Sequence, residues 1–279
     1  MIGIIGGSGL YNVEGLKKAK DIIVKTPFGM PSDKIKTGEI DGVKVAFVAR
    51  HGRDHRFLPT EVPYKANIYA LKSLGAKIIL AFSAVGSLRE KLAPKDFVFP
   101  NDLVDQTKSR EYTFFGNGVV GHAVFADPFC NCLGDFMYKR AKALKIKAHR
   151  GGTLVAMEGP AFSTKAESNA NRKMGYDLIG MTASPEAKLA REAGVSYVPI
   201  SMVTDYDCWR PGDHVTPEKV MKTMETNVKT AKKLILDIIP KIGKVKTCGL
   251  CNKSMKNSVM ASHKKTSQAT LKKLKVILH

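Results

Sequence analysis

The chain has 279 residues, 44% of them hydrophobic, with 45 Lys and Arg against 25 Asp and Glu and a formal net charge of +20. That length buries a large core in one α/β domain, and no stretch approaches the roughly 18 apolar residues of a membrane span. Half of the excess charge lies in residues 241–279, which hold ten lysines and no acid; lysines without interleaved aromatics or a reading motif make a solvated tail, so nucleic acid is not an expected partner.

The start, Met1-Ile2-Gly3-Ile4-Ile5, has neither the basic lead nor the long apolar segment of a secretion signal, and a cytoplasmic protein is expected. Apolar runs at 2–5, 43–48, 78–82, 97–99, 153–157, 178–181 and 196–200 predict strands. They do not alternate with polar residues, which is what burial on both faces produces. A helix is expected after His55, and an irregular segment, a candidate contact with a partner subunit, over 101–129. Thr164-x-x-Glu167 has the form of a capping box before a helix that stops near Gly175. Ser184-Pro185 and Thr216-Pro217 place capping hydroxyls before a proline, the first helix ending at Gly194 and the second running to about residue 239. These signals predict a single α/β domain over 1–240, with a mixed, largely parallel central sheet flanked by helices. Residues 241–279 are then a Lys-rich tail with a short amphipathic helix at 269–278 that could pack on a neighbouring subunit.

Five cysteines, an odd number, fit a reducing compartment. Cys248-Gly-Leu-Cys251 has the spacing of half a zinc site, but no second Cys or His pair follows it. Inert thiols, a disulfide and a metal clip all stay open, and no metal enters the chemistry below.

Four segments that follow apolar runs carry polar groups, and in a parallel sheet such segments gather at one edge where ligands bind. Gly6-Gly7-Ser8-Gly9 offers backbone amides and the Ser8 hydroxyl to an oxyanion, without dinucleotide-fold spacing or a Walker lysine. Arg50-His51 sets a cation beside an imidazole, either for an anion or for a surface ion-pair cluster with Asp54. Ser83-Ala84-Val85-Gly86 adds a hydroxyl and unencumbered amides, and Met181-Thr182 another hydroxyl. Together they read as a site for phosphate, used as a substrate. The last main segment, Thr204-Asp205-Tyr206-Asp207, turns two carboxylates to one side of an extended run. They either cap a turn or take an adenine edge, accepting from its amine while one proton is shared toward N7.

Gly3 to Gly9, Thr26-Pro27-Phe28-Gly29, Arg50-His51-Gly52-Arg53, Ser83 to Arg89, Glu158-Gly159-Pro160, Phe162-Ser163, Gly180-Met181-Thr182, Pro185-Glu186 and Thr204 to Trp209 follow one another in order over the first 240 residues. In this run the chain resembles the 5'-methylthioadenosine phosphorylases of the trimeric purine nucleoside phosphorylase family. The resemblance implies phosphate held by Ser8, Arg50, His51, Ser83, Ala84 and Thr182, and ribose held against Met181. It implies Asp205 and Asp207 as catalytic residues at the adenine edge, with Tyr206, Phe162 and Ser163 among the substrate contacts. The methylthio pocket would come from Pro217, Val220 and Met221, completed by His122 of a neighbouring subunit in a homotrimer or a dimer of trimers. Inorganic phosphate is then a co-substrate, with no cofactor or metal. The alternative within this class is a phosphorylase of 6-oxopurine nucleosides, which usually presents Asn where Asp205 stands. A phosphate-binding module without catalysis would have no use for the paired Asp205 and Asp207.

Overall fold

The computed structural model describes residues 1–10, 13–212, 215–246, 248–255, 258–261 and 266–278, without the side chains of Ser8 and Ala261. The N-terminal strand β1 (Ile2–Gly6) is buried along its whole length and leads into a 3-10 turn at Ser8–Leu10. A polar antiparallel pair follows, β2 (Lys17–Ile22) and β3 (Ile35–Ile40), and then the apolar β4 (Val43–Ala49). Helix α1 (Tyr64–Ser73) crosses to β5 (Ile78–Ser87); β6 (Phe97–Phe99), β7 (Asp102–Asp105) and β8 (Val119–Gly121) come next. After α2 (Asn131–Ala143) the chain alternates through β9 (Ala148–Arg150), β10 (Thr153–Ala156), α3 (Lys165–Lys173), β11 (Leu178–Gly180), α4 (Ala183–Glu192) and β12 (Ser196–Asp205). The long α5 (Pro217–Ile242) leads into α6 (Gly249–Lys253), β13 (Val259–Ala261) and α7 (Gln268–Leu278).

One eleven-stranded sheet runs β2-β3-β4-β1-β5-β11-β10-β7, with β12 on β5, β6 on β12 and β9 on β6. Its centre is parallel: β1 lies between β4 and β5, and β12 follows β5 in register from Ser196 opposite Ile78 to Val203 opposite Val85. The apolar runs form this centre because both faces are covered by helices. Phe47, Phe82, Phe97 and Phe99 are fully buried there, and α5 lays Leu234, Ile235, Ile238 and Ile239 on one face.

The sheet forks at the middle of β5. On one edge β5 is paired by β1 only as far as Ala81 and by antiparallel β11 only from Gly86. Phe82 to Val85 fall between the two wings, so backbone groups that a continuous sheet would consume face into the gap.

The fold is the expected mixed sheet flanked by helices, with several differences of detail. Segments 83–86 and 204–205, expected as loops, continue β5 and β12. β2, β3, β7, β8, β9 and β13 were not expected; β2 is exposed along most of its length, so nothing apolar marks it. The region 101–129, expected to be irregular, contains β7 and β8. Thr164 and Glu167 form a complete capping box. Ser184 does not cap: its hydroxyl donates to Asp105 Oδ2 (2.6 Å) and its backbone is extended inside α4. α5 passes through Pro240 to Ile242, because the proline sits in the last turn, where one lost N–H costs least, and buried Ile239 and Ile242 hold that turn to the core. In the tail, β13 pairs with β8, and α7 buries Leu274 and Ile277 against the cluster that includes α1 of the same chain. None of the described helices is long and apolar enough to cross a membrane.

Candidate active site

The fork in β5 opens into a cavity of about 850 Å³. Gly7 and Gly9 reach it from the turn after β1, Arg50 and His51 from the end of β4, and Ser83, Ala84 and Gly86 from β5 itself. Met181 and Thr182 enter from the β11–α4 junction, Asp205 and Asp207 from the end of β12, and Pro217, Val220 and Met221 from the first turns of α5. Phe162, half exposed, stands at the wall.

Hydroxyls converge at one end. Ser83 Oγ and Thr182 Oγ1 lie 3.3 Å apart although 99 residues separate them. Thr182 precedes α4 without capping it, so its hydroxyl is not spent on the helix. The backbone of Ser8 belongs to the turn that follows β1; its side chain lies outside the described residues.

Arg50 is not at the surface, which removes the ion-pair reading with Asp54. Its Nε donates to Glu186 Oε1 (2.5 Å), its Nη2 to Glu186 Oε2 (2.9 Å) and its Nη1 to Phe82 O (2.8 Å), a carbonyl at the mouth of the fork. Tyr197 adds a hydrogen bond to Glu186 Oε2 (2.8 Å). Burial works against the Arg50 charge, and the Glu186 carboxylate overrides it and raises its pKa. The pair is 3% and 1% exposed, so neither charge has water to compensate it. Three of the five guanidinium N–H groups are committed to these bonds. Arg50 therefore closes the fork as well as lining the cavity.

His51 is held neutral. Burial first, then the Arg50 charge, lowers its pKa to about 4. Its Nδ1 lies 2.8 Å from Phe57 O, a carbonyl that can only accept, so Nδ1 carries the hydrogen and Nε2 the lone pair.

The acidic end is built by a turn rather than by strand alternation. A register shift ends the β12 pairing between Val203 and Asp205, and Asp207 has φ +51°, left-handed backbone. Asp205 Oδ1 accepts the Asp207 N–H (2.8 Å) and its Oδ2 the Thr204 hydroxyl (2.6 Å), so it caps the turn and faces the cavity at once. Burial raises the pKa of Asp207, against the pull of the Ser168 and Ser163 hydroxyls, and its Oδ2 is buried without a hydrogen bond among the described residues. A carboxyl raised in this way holds its proton more tightly, beside a second carboxyl whose oxygens accept hydrogen bonds. Gly86 gives them room: a Cβ there would stand 3.0 Å from Asp205 Oδ1.

Three expected residues do not line the cavity. Tyr206 sends its hydroxyl to Glu90 O (3.4 Å) and stacks edge-on with Trp209. Ser163 sits behind Asp207 with its hydroxyl 3.8 Å from Met157 Sδ. His122 is exposed, held through its backbone N–H to Ser258 O (3.0 Å).

The sequence did not point to Arg110, in the segment read as irregular. Its buried guanidinium donates to Glu158 Oε1 (3.0 Å), Glu158 O (2.7 Å), Ser184 O (2.7 Å) and Met181 O. It thus fixes the backbone of Met181 in the cavity wall. Burial pushes the Glu158 carboxyl up, but hydrogen bonds from Lys108, Ser109, Thr60 and Arg110 outweigh it and hold the pKa down at about 2.

The family description "Phosphorylase superfamily" matches residues 1–240. The chain belongs to that superfamily. It is 46% identical over 280 residues to S-methyl-5'-thioadenosine phosphorylase of Geobacter sulfurreducens, covering all of this chain and 98% of the relative. It is 47% identical to the protein of that name from Thermosynechococcus vestitus, covering 99% and 97%. Among solved structures, a methylthioadenosine phosphorylase from an antarctic soil metagenomic library superposes with a TM-score of 0.95 at 42% identity, covering 100% and 98% of the two chains. A point mutant of the Schistosoma mansoni adenosine/methylthioadenosine phosphorylase, in complex with methylthioadenosine, gives 0.83 at 38% identity, covering 88% and 92%.

Proposed function

We propose that the chain is a pentosyltransferase that cleaves the N-glycosidic bond of 5'-methylthioadenosine with inorganic phosphate, releasing adenine and 5-methylthioribose 1-phosphate. One observation carries this: the hydroxyls of Ser83 and Thr182 and the two carboxylates of Asp205 and Asp207 open on the same cavity, whose wall also holds Met181. The relatives named above support the substrate.

The site residues take these roles. Phosphate lies against the Ser8, Ser83 and Thr182 hydroxyls and the Ala84 amide, beside Arg50, while the His51 Nε2 lone pair accepts a hydrogen bond from a phosphate P–OH. Ribose rests on Met181. Phe162 covers the base. As the glycosidic bond lengthens, the sugar gains oxocarbenium character that the phosphate charge stabilises from below. A phosphate oxygen then forms the new bond to the anomeric carbon. The bonding pair of the broken bond goes to adenine, which takes up a proton relayed by Asp205, with Asp207 as the more readily protonated partner. This chemistry uses no cofactor or metal.

Pro217, Val220 and Met221 form an apolar start to the methylthio pocket. Met221 is 69% exposed, an open side that a neighbouring subunit bringing its His122 would cover in a homotrimer or a dimer of trimers. All five cysteines are free thiols, which fits the cytoplasm.

The test is incubation with methylthioadenosine with and without phosphate, assaying adenine and the sugar 1-phosphate. Both products should appear only with phosphate. Turnover of inosine in preference to methylthioadenosine and adenosine would replace this substrate with a 6-oxopurine nucleoside.

A further inference from the structure

The half zinc motif of the tail has a counterpart that precedes it in the chain. The thiols of Cys130, Cys248 and Cys251 lie within 4.8 Å of one another, with Cys130 Sγ 3.7 Å from Cys248 Sγ and Cys248 Sγ 3.3 Å from Cys251 Sγ. A tetrahedral ion with zinc–sulfur bonds of about 2.3 Å sets its sulfurs about 3.8 Å apart. The trio therefore has the size of one face of such a tetrahedron. Cys132, partly exposed and two residues after Cys130, stands near Cys248 but outside this group of three, so a turn of its side chain would bring in the fourth thiol. Cys130 and Cys251 are each 1% exposed, within the apolar cluster that α2, α5 and β12 form, so the sulfurs sit in a dry surround. None of the four lines the cavity of the candidate active site.

We propose that Cys130, Cys132, Cys248 and Cys251 form a structural tetrathiolate site for zinc. Closed sulfur coordination is the pattern of structural rather than catalytic zinc. The ion ties the tail to the body. α6 has five residues, too few to be stable alone. Its direct links to the body include Ser196 Oγ to Asn252 Oδ1 (3.3 Å) and Ser254 Oγ to Arg191 O (3.1 Å). Beyond α6 the chain reaches β13, which pairs with β8 beside His122. The clip would thus fix the segment that supports His122 against the mutual repulsion of the tail lysines.

The full-length chain, purified without a histidine tag under reducing conditions with zinc present, should retain about one zinc per chain by elemental analysis after gel filtration. Replacement by cobalt(II) should give the sulfur-to-metal charge-transfer and visible bands of a tetrahedral thiolate complex. The double variant Cys248→Ser/Cys251→Ser should lose the metal, and Cys208→Ser should keep it. Because the cobalt spectrum is read on the unmutated chain, the proposal stays testable if the double variant does not fold. A metal-free chain with five alkylatable thiols after zinc exposure would overturn it. So would a disulfide among these four cysteines in the mass spectrum of the unreduced chain.

Discussion

With a pKa of about 4, the His51 ring is uncharged at neutral pH and serves as a hydrogen-bond acceptor on its cavity side. An unfolded histidine titrates near 6.5, so between about 6.5 and 4 the unfolded chain binds more protons than the native one. Stability then rises with pH across that window and is lost as pH falls through it. The urea midpoint of the unmutated chain should drop more steeply from pH 6.5 to 4.5 than that of His51→Gln; parallel curves would mean that folding does not lower the His51 pKa. Asp205 makes a sharper case. Asp205→Asn keeps the size of the group and removes its ability to relay a proton, so kcat for methylthioadenosine should fall by about 10²–10⁴-fold with the KM for phosphate little changed. Near-normal turnover would take Asp205 out of the chemistry. Much of this site was legible in the sequence, because small residues, hydroxyls and carboxylates after apolar runs have few structural uses in common. Glu186 was visible only as part of a motif, and Arg110 not at all. Their partners, Arg50, Tyr197, Met181 and Glu158, are set by tertiary packing, and local spacing carries no trace of it.

Among the elements, those buried on both faces were the readable ones. β1, β4, β5 and β12 announce themselves as unbroken apolar runs, whereas β2, Lys17-Lys18-Ala19-Lys20-Asp21-Ile22, is exposed along most of its length and β3, Ile35-Lys36-Thr37-Gly38-Glu39-Ile40, reaches the core only through its terminal isoleucines. Strand ends failed for a related reason: Ser83 and Asp205 look like loop residues, yet the β5–β12 ladder carries the extended backbone past them. Helix α5 couples core and site, since its buried stripe at Leu234, Ile235 and Ile238 sits on the sheet while Pro217, Val220 and Met221 meet the cavity. Ile238→Ala should cost about 2–5 kcal/mol, read as a lower denaturant midpoint at unchanged slope. With the far end of the helix loosened, KM for methylthioadenosine should rise before kcat falls.

For the whole molecule, the exposed Met221 and the exposed His122 mark two separate places on one protomer. If both serve one pocket, they must come from different copies in a closed assembly where each subunit gives and receives, and the trimer proposed above is one such arrangement. His122→Ala should then raise KM for methylthioadenosine about tenfold with little change for phosphate, while sedimentation still shows trimers. An unchanged KM would separate His122 from the pocket. The charge of +20 belongs to this scale too, because half of it rides on the tail, where it aids solubility.

The split in β5 has one more outcome. Arg50 reaches across it, from the end of β4 to Phe82 O and to Glu186 of α4, while β1 and β11 share only the strand β5 and make no direct pairing with each other. An anion lodged between them would act as a rivet, bound to both and to neither continuously. Saturating phosphate should therefore slow solvent exchange of amide hydrogens in β1 and β11 together, with α2 as the indifferent reference. Slowing on one wing alone would show that the ligand grips one half of the molecule and leaves the seam unfastened.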